Sequence, residues 1–534
     1  MSKTFAAFLL TQAAVFLGSP ESRTVTGSAP RNGTAALRPN IVLVMVDSFD
    51  GRLTFEPGNK TVLLPYISYM REQGAVFLNS YTNSPICCPS RAAMWSGRFV
   101  HLTESWNNYK CLEENYTTWM DLLRKRGYYT KKLGKLDYRS GGHTVSNRVE
   151  AWTRDVDFLL RQEGRPVTNL TGDASTVRVM TEDWNTTDSA SHWIRRSAAA
   201  LAQPFALYVG LNLPHPYLTA SLGRTAGGST FRTSEFWLKK VSHHLVTVPT
   251  WLPFSRMHQV DFYSTYTKNC SSNFTEQELK DIRTFYYAMC AEADAMLGEI
   301  LLALRDSQLL SSTVLLFTSD HGELAMEHRQ FYKMSMYEGS SHVPLLVTGP
   351  RVRAGLQVPQ PVSLVDIYPT ALDLAGIPLP GGLSGHSLLP LLSRDTPPKG
   401  RPRPTWVLSE FHGSDVNAST YMLRTEQWKY IAYADGISVP PQLFDLSSDE
   451  EELRDLAAEL PGVCGRLDGL LRAVVDYPAV SRAVRRYNRR QFLSWRRSLG
   501  AAYARTIAGL RWHRDWQEDP AGYEAAIDRW IAGA

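Results

Sequence analysis

An α/β fold around a mostly parallel sheet is what this chain predicts, and three observations predict it. Continuous apolar runs recur at Ile41–Val46, Phe205–Leu211, Thr313–Thr318 and Val343–Thr348. Helix-like stretches lie between them, including Thr118–Arg126 (stopped by Gly127) and Glu276–Leu304. Polar groups follow the runs at Asp47, Asn212–Tyr217 and Asp320-His321. A strand buried on both faces reads as an unbroken apolar run, and strands alternating with helices build a parallel sheet. Ligands of such sheets gather beyond the carboxyl ends of the strands, so these polar groups point towards one site.

At 534 residues the chain exceeds the usual size of one core, so a large domain with a smaller companion is expected. Arg394–Pro404, rich in proline and charge, reads as the linker. It separates a main domain over 21–395 from a C-terminal subdomain over 396–534. In the latter, segments beginning at Trp406, Tyr421 and Trp428 alternate like antiparallel strands, and a helical, arginine-rich tail follows. From Ser481 to Ala534 there are 11 arginines, no lysine and five acidic residues. Either these are surface helices whose arginines pair with neighbouring carboxylates, or the tail is a landing surface for an anionic polysaccharide.

With 43% hydrophobic and 20% charged residues, wholesale disorder is excluded. A net charge of +5 is too small to argue for nucleic acid. No run of 18 apolar residues occurs, so no transmembrane anchor is expected. Lys3 followed by the apolar stretch Phe5–Leu17 and the small residues Gly18 and Ser19 has the layout of a signal peptide over 1–20. Asn-x-Ser/Thr triplets at Asn32, Asn59, Asn115, Asn169, Asn185, Asn269, Asn273 and Asn417 suit a glycosylated protein of the secretory pathway. Six cysteines are too few for a disulfide framework at this length, and no CxxC pair suggests zinc.

Cys87-Cys88-Pro89-Ser90-Arg91, followed by Ser96-Gly97-Arg98, contains the spacing Cys-x-Pro-Ser-Arg. This resembles the signature of the type I sulfatases, with Cys88 at the variable position. The resemblance implies an alkaline-phosphatase-like mixed sheet flanked by helices, with a smaller C-terminal α+β subdomain. It also implies that Cys87 is oxidised by a formylglycine-generating enzyme to formylglycine, whose hydrate attacks sulfur. Asp47, Asp320 and residue 87 match calcium-ligand positions of that family, and carboxylates from separate strand ends suit a hard cation. Asp320 is followed by His321 where the family often has Asn, so His321 is a nitrogen ligand or lies just behind the ligands. Asp-His-Gly-Glu resembles the uronate-2-sulfatase branch.

Gly134-Lys135 and Lys333 resemble the sulfate-gripping lysines, and Arg91 is expected to share in neutralising the equatorial oxygens. In the lysine motif Asp137 replaces a histidine, for which His143 is a candidate substitute. Leu213-Pro214-His215-Pro216 resembles the loop whose histidine faces the leaving oxygen. His258 is a second local candidate for the pocket; His243, His244 and His342 have weaker claims. Gln442–Glu450 resembles the family's C-terminal segment, so the resemblance runs from about residue 39 to residue 460.

The implied activity is a lysosomal or secreted sulfuric ester hydrolase using one Ca2+. Its expected substrate is 2-O-sulfated glucuronate in heparan, chondroitin or dermatan sulfate, with aryl sulfates as further substrates. A phosphodiesterase or phosphonate hydrolase of the same superfamily is the alternative, but it would typically use Ser or Thr and two metals. A catalytically silent glycosaminoglycan-binding protein is a third reading, against which the full set of charged groups argues.

Overall fold

A computed structural model of the chain describes residues 38–140, 149, 151–153, 163–218, 228–393, 402–413, 416–508 and 518–533. The signal-peptide segment, Asn32 and His143 lie outside the described residues, as does most of the proline-rich stretch.

In chain order the elements that matter are β1 (Asn40–Asp47), α1 (Pro65–Gln73), β2 (Ala75–Phe77), α2 (Cys87–Ser96), α3 (Trp119–Lys125), β3 (Tyr129–Gly134) and α4 (Thr181–Arg196). They continue with β4 (Phe205–Pro214), α5 (Gln259–Thr267), α6 (Glu276–Asp306), β5 (Thr313–Ser319), β6 (Leu345–Thr348), β7 (Leu356–Val358) and α7 (Ile367–Leu374). The seven strands form one sheet in the order β7-β2-β6-β5-β1-β4-β3. β1 lies between β5 and β4 and is parallel to both. β6 runs antiparallel to β5 and β2, so the sheet is mixed. The apolar run at Val343 contributes its strand only from Leu345, after Pro344, which has no N–H to give a ladder.

Both faces of β1 are covered. Val42, Val44 and Val46 pack into one core with residues of α4 and α6, such as Trp184, Ile194, Met296 and Leu301. Ile41, Leu43 and Met45 pack into the other with Trp95, Trp119, Leu123 and Leu372. That two-sided burial is why these strands read as continuous apolar runs. α3 and α6 each begin with a capping box, at Thr118/Asp121 and Thr275/Glu278, which satisfies amides that the helix leaves unpaired.

The C-terminal part forms an antiparallel sheet of β8 (Trp406–Phe411), β9 (Thr420–Thr425), β10 (Trp428–Tyr433) and β11 (Gln442–Asp445). Leu467 and Leu471 of α8 (Pro461–Val474) pack on it. α9 (Tyr477–Leu499) and α10 (Pro520–Ala532) follow, and Phe492, Trp495 and Trp530 share a small core with Val149 and Trp152.

A disulfide joins Cys88 to Cys111. The residue at the variable position of the motif therefore ties the start of α2 to the loop before α3. The Cys88 amide also donates to Asn108 Oδ1 at 3.1 Å. Closing a loop of this separation (23 residues) constrains the unfolded chain, so Cys111→Ala is expected to cost ~3 kcal/mol. The checking measurement is a thermal melt, in which the midpoint falls for Cys111→Ala while the Cys87→Ala midpoint stays close to that of the parent.

Candidate functional site

Parallel pairing of β1 with β5 sets Val46 beside Ser319, so the strands deliver Asp47 and Asp320 side by side at their carboxyl ends. Asp47, Cys87, Asp320 and His321 are all buried, and one ligand-capable atom of each lies within 4.8 Å of the others. His321 Nδ1–H donates to the Gly322 carbonyl at 3.0 Å, which turns the Nε2 lone pair inward. That nitrogen stands 3.4 Å from Cys87 Sγ and 3.4 Å from Asp47 Oδ1. Burial, together with Lys333, holds the imidazole well below its ordinary pKa, so it is neutral and able to ligate.

Cys87 is the first residue of α2, a helix whose every residue is buried. Pro89 falls in its first turn, where a missing N–H costs nothing. Arg91, one turn on from residue 87, points along the same face. Its Nε donates to Asp320 Oδ2 at 2.7 Å, and Nη1 donates to the Tyr208 hydroxyl (2.7 Å) and the Lys135 carbonyl (3.0 Å). Nη2 donates to the Val46 carbonyl at 3.3 Å and lies 3.8 Å from Asp47 Oδ2. Ser90 Oγ donates to the Asp320 carbonyl at 2.5 Å. The expectation that Arg91 neutralises sulfate oxygens is therefore corrected. Its side chain is fully buried and its donors are taken by protein acceptors, so it acts by holding the carboxylates in place.

Burial pushes the Asp320 carboxyl up to about 7, with Arg91 pulling the other way and Asp47 adding to the rise. Asp47 is buried too, yet Lys135 and the neighbouring imidazoles and Lys333 hold it well below the usual carboxylate range. Lys135 Nζ is 2.8 Å from Asp47 Oδ2 and 3.3 Å from Asp137. This lysine leaves β3 beside Gly134, whose φ is +71° and whose missing Cβ would sit 2.0 Å from the Gly210 carbonyl. Only glycine permits that approach. Burial raises the Cys87 thiol to about 12, so an unmodified cysteine here is a poor nucleophile.

His215, on the Leu213–Pro216 loop, donates from Nδ1 to the Pro216 carbonyl at 2.7 Å, and its Nε2 meets the Lys333 ammonium in a short contact. Burial and Lys333 lower its pKa to about 3. Lys333 and Lys135 both pull the Cys87 thiol down against the larger effect of burial.

His258 is placed elsewhere. It caps α5, accepting the Val260 amide on Nδ1, and donates Nε2–H to the Pro440 carbonyl at 3.0 Å. Its ring stacks on Tyr433 and lines a separate cavity of about 430 Å3, with Asp261, His328 and Tyr337. His243 and His244 are exposed, and His342 is buried against Glu338. Of the sequons, Asn115, Asn169, Asn185 and Asn273 are exposed, while Asn59, Asn269 and Asn417 are half-buried.

Sequence reasoning missed what carries Lys333. Six non-glycine residues between 325 and 334 (Ala325, Met326, His328, Arg329, Tyr332 and Met334) have left-handed φ angles. Such angles cost roughly 1–2 kcal/mol apiece, so the surroundings must enforce them. Glu323, buried, accepts the Ala325 amide at 3.1 Å and the Tyr332 amide at 2.5 Å. Lys268, also buried, donates to Gln330 Oε1 at 2.8 Å and to the Lys333 carbonyl at 2.5 Å. A lysine sixty-five residues away in sequence leaves no local pattern announcing this contact.

Buried carboxylates, a neutral imidazole and two flanking lysines suit the hydrolysis of an anionic ester, and similarity to known proteins gives the class as sulfatase. A family model described as Sulfatase matches residues 39–377, and one for the C-terminal part of N-sulphoglucosamine sulphohydrolase matches 326–461. The chain belongs to the sulfatase family and is a sulfatase hydrolase. It is 68% identical to Arylsulfatase K of Danio rerio over 502 residues, covering 94% of this chain and 96% of that one. It is 60% identical to Arylsulfatase K of Homo sapiens over 508 residues, covering 95% of each. Similar solved structures include a phosphonate monoester hydrolase from Silicibacter pomeroyi (TM-score 0.64, 19% identity, 82% of this chain and 96% of that one). Another is a 2-O GAG sulfatase (TM-score 0.62, 20% identity, 82% and 92%). At those identities they share the fold.

If Lys268 positions Lys333, then Lys268→Met lowers kcat/KM on an aryl sulfate by about tenfold, the scale of one misplaced charged donor. In the double variant with Lys333→Ala the loss is no greater than for Lys333→Ala alone, whereas additive losses would show that the two lysines act independently.

Proposed function

We propose that this chain is a calcium-dependent, formylglycine-type exosulfatase that removes the 2-O-sulfate of terminal glucuronate from glycosaminoglycans. The observation that carries the reading is the buried cluster of Asp47, Cys87, Asp320 and His321, flanked by Lys135 and by the Lys333–His215 pair. The donor set fits one divalent cation. Two carboxylates face each other in a buried space, and Asp47 Oδ2 has no hydrogen bond beyond its ion-pair distance to Lys135. Asp47, Asp320, His321 and residue 87 would hold Ca2+, which would supply charge neutralisation and polarisation of the attacking oxygen. An aldehyde at residue 87, once hydrated, would supply a nucleophilic hydroxyl and a second hydroxyl whose deprotonation expels sulfate.

The chain's own residues then have distinct tasks. Arg91 opposes the rise that burial imposes on the Asp320 carboxyl and aims it at the cluster. Lys135 and Lys333 neutralise the sulfate oxygens, the kind of preorganised charge that contributes roughly 3–4 kcal/mol per donor. His215, whose Nε2 faces the Lys333 ammonium, would pass a proton to the departing sugar oxygen. The uronate assignment rests on the resemblance of Asp320-His-Gly-Glu323 to the uronate-2-sulfatase branch, with the basic groups available for a second anionic charge. Maturation by a formylglycine-generating enzyme and residence in the lysosome or outside the cell belong to the same proposal. So do a catalytic unit over 21–395 and glycans on the exposed sequons.

The decisive experiment compares release from a 2-sulfoglucuronate disaccharide with release from a 6-sulfated hexosamine. Release from the second alone would overturn the uronate assignment. The tryptic peptide containing residue 87 is expected to be about 18 Da lighter than the cysteine form, as the loss of H2S and gain of O require. Cys87→Ala should release no sulfate. Bound calcium should fall in Asp47→Asn, as measured by elemental analysis.

The pH dependence follows from His215. Its pKa of about 3 is depressed by burial and by the Lys333 cation, and a bound sulfate, being anionic, raises it. The protonated acid therefore persists to higher pH in the complex than in the free enzyme. The basic limb of kcat is expected to lie at higher pH than that of kcat/KM. Lys333→Met, which removes a neighbouring cation, should move the kcat/KM limb upward. Coincident limbs, unmoved by Lys333→Met, would remove His215 from the acid role.

A further inference from the structure

Outside the catalytic cluster, the strongest unexplained feature is the arginine face of α9. Arg482, Arg486, Arg490 and Arg497 are exposed, and Arg485 and Arg489 are half-buried beside them. At 3.6 residues per turn, the four exposed arginines fall within about 80° of arc and span about 22 Å of helix. The opposite face is committed, because Val484, Phe492 and Trp495 are buried.

Among the described residues, neighbouring carboxylates do not account for the row. Arg496 takes Asp528 at 2.6 Å and Glu524 at 3.0 Å, and Asp519 caps its own helix. Among the described residues, Arg482, Arg485, Arg486, Arg490 and Arg497 have no carboxylate partner. Arg489 lies over the Trp530 ring at 6.0 Å. A row of unneutralised like charges opposes its own helix, so its persistence asks for an anionic ligand.

We propose that this face is a second binding site, for the sulfate groups of an anionic polysaccharide, separate from the catalytic cluster. The inference rests on the reading that the substrate is a sulfated glycosaminoglycan, and it extends that reading to how the chain is captured. Residues 481–534 hold 11 arginines and no lysine. The planar guanidinium fork matches the paired oxygens of a sulfate, whereas a lysine ammonium offers only a point charge. A bilayer would need an apolar face to insert, and that face of α9 is already buried in protein. Repeated sulfates along one polymer match repeated arginines along one helix, so each contact after the first forms intramolecularly and adds to retention of the chain.

The test uses the full-length protein and the triple variant R482Q/R486Q/R490Q. On immobilised heparin, the variant elutes at lower salt. The slope of log affinity against log salt for a heparin-derived decasaccharide falls by about three, roughly one per arginine. The variant's kcat/KM for an aryl sulfate stays within about twofold of the parent, while that for a long 2-sulfoglucuronate-ended oligosaccharide drops about tenfold. Should the triple variant misfold, R497E is expected to show the same direction of elution shift with one substitution. Unchanged heparin elution in both variants would overturn the proposal. Parent retention on immobilised duplex DNA as strong as on heparin would overturn the polysaccharide assignment. Heparin binding needs no turnover, so a failure of the uronate reading, seen as no release from any glucuronate substrate, is distinguishable from a failure of the arginine face.

Discussion

Two carboxylates and a guanidinium share one solvent-free space at the carboxyl edge of the sheet, and the Arg91–Asp320 contact at 2.7 Å makes that space tenable. Both side chains are fully buried, as is Asp47. Removing one partner of such a pair leaves an uncompensated charge, at a cost of about 3–5 kcal/mol. The same guanidinium reaches the Val46 and Lys135 carbonyls and the Tyr208 hydroxyl, so it links the ends of β1 and β3 and a side chain of β4. Its position one turn from residue 87 then fixes that residue against the same edge. The Cys-x-Pro-Ser-Arg spacing is thus a packing constraint as much as a chemical one. Proline begins the turn, serine grips the Asp320 backbone, and arginine grips its side chain.

The second half of the site is held differently. Lys333 sits on a segment whose backbone departs repeatedly from the conformations its residues prefer. Buried Glu323 and Lys268 supply the hydrogen bonds that compensate, and both are tied to backbone atoms. One lysine of the pair, Lys135, is thus presented by a strand end and a pair of closely packed glycines. The other is presented by a strained loop. The first depends on sheet geometry, and the second depends on buried polar groups, one of them 65 residues away in the chain.

That contrast explains what was legible in the sequence. β1, β4, β5 and β6 were readable because burial on both faces leaves an unbroken apolar run, and the polar termini of β1 and β5 pointed to Asp47 and Asp320; the short β2 and β7 and the part-exposed β3 carry no such run. α6 was readable as the helix-like stretch Glu276–Leu304, within a few residues of its observed bounds, whereas its capping box came only from the structure. The antiparallel turn of β6 was not legible, since a buried strand carries no mark of direction. Arg91 was placed by motif but assigned to sulfate, because spacing does not tell which acceptors surround a guanidinium. His258 looked like a pocket residue by type alone, whereas the fold uses both its ring nitrogens for a helix cap and a carbonyl. Lys268 was invisible, since a buried lysine contacting a remote carbonyl has no local signature.

The disulfide at Cys88 has a consequence for how the chain reaches its working state. Two thiols stand next to each other in sequence, and Cys111 is the partner of only one of them. In the folded protein residue 87 is 4% exposed, so no enzyme the size of a protein can reach its thiol there. A protein that acted on that thiol would need a chain that has not yet packed α2 against the sheet. During that interval the wrong neighbour can also capture Cys111, which would lock residue 87 in a bridge and leave Cys88 bare. Closing the disulfide is therefore a kinetic partition between adjacent sulfurs. Anything that modifies residue 87 early removes the competitor and leaves Cys88 as the thiol free to close on Cys111.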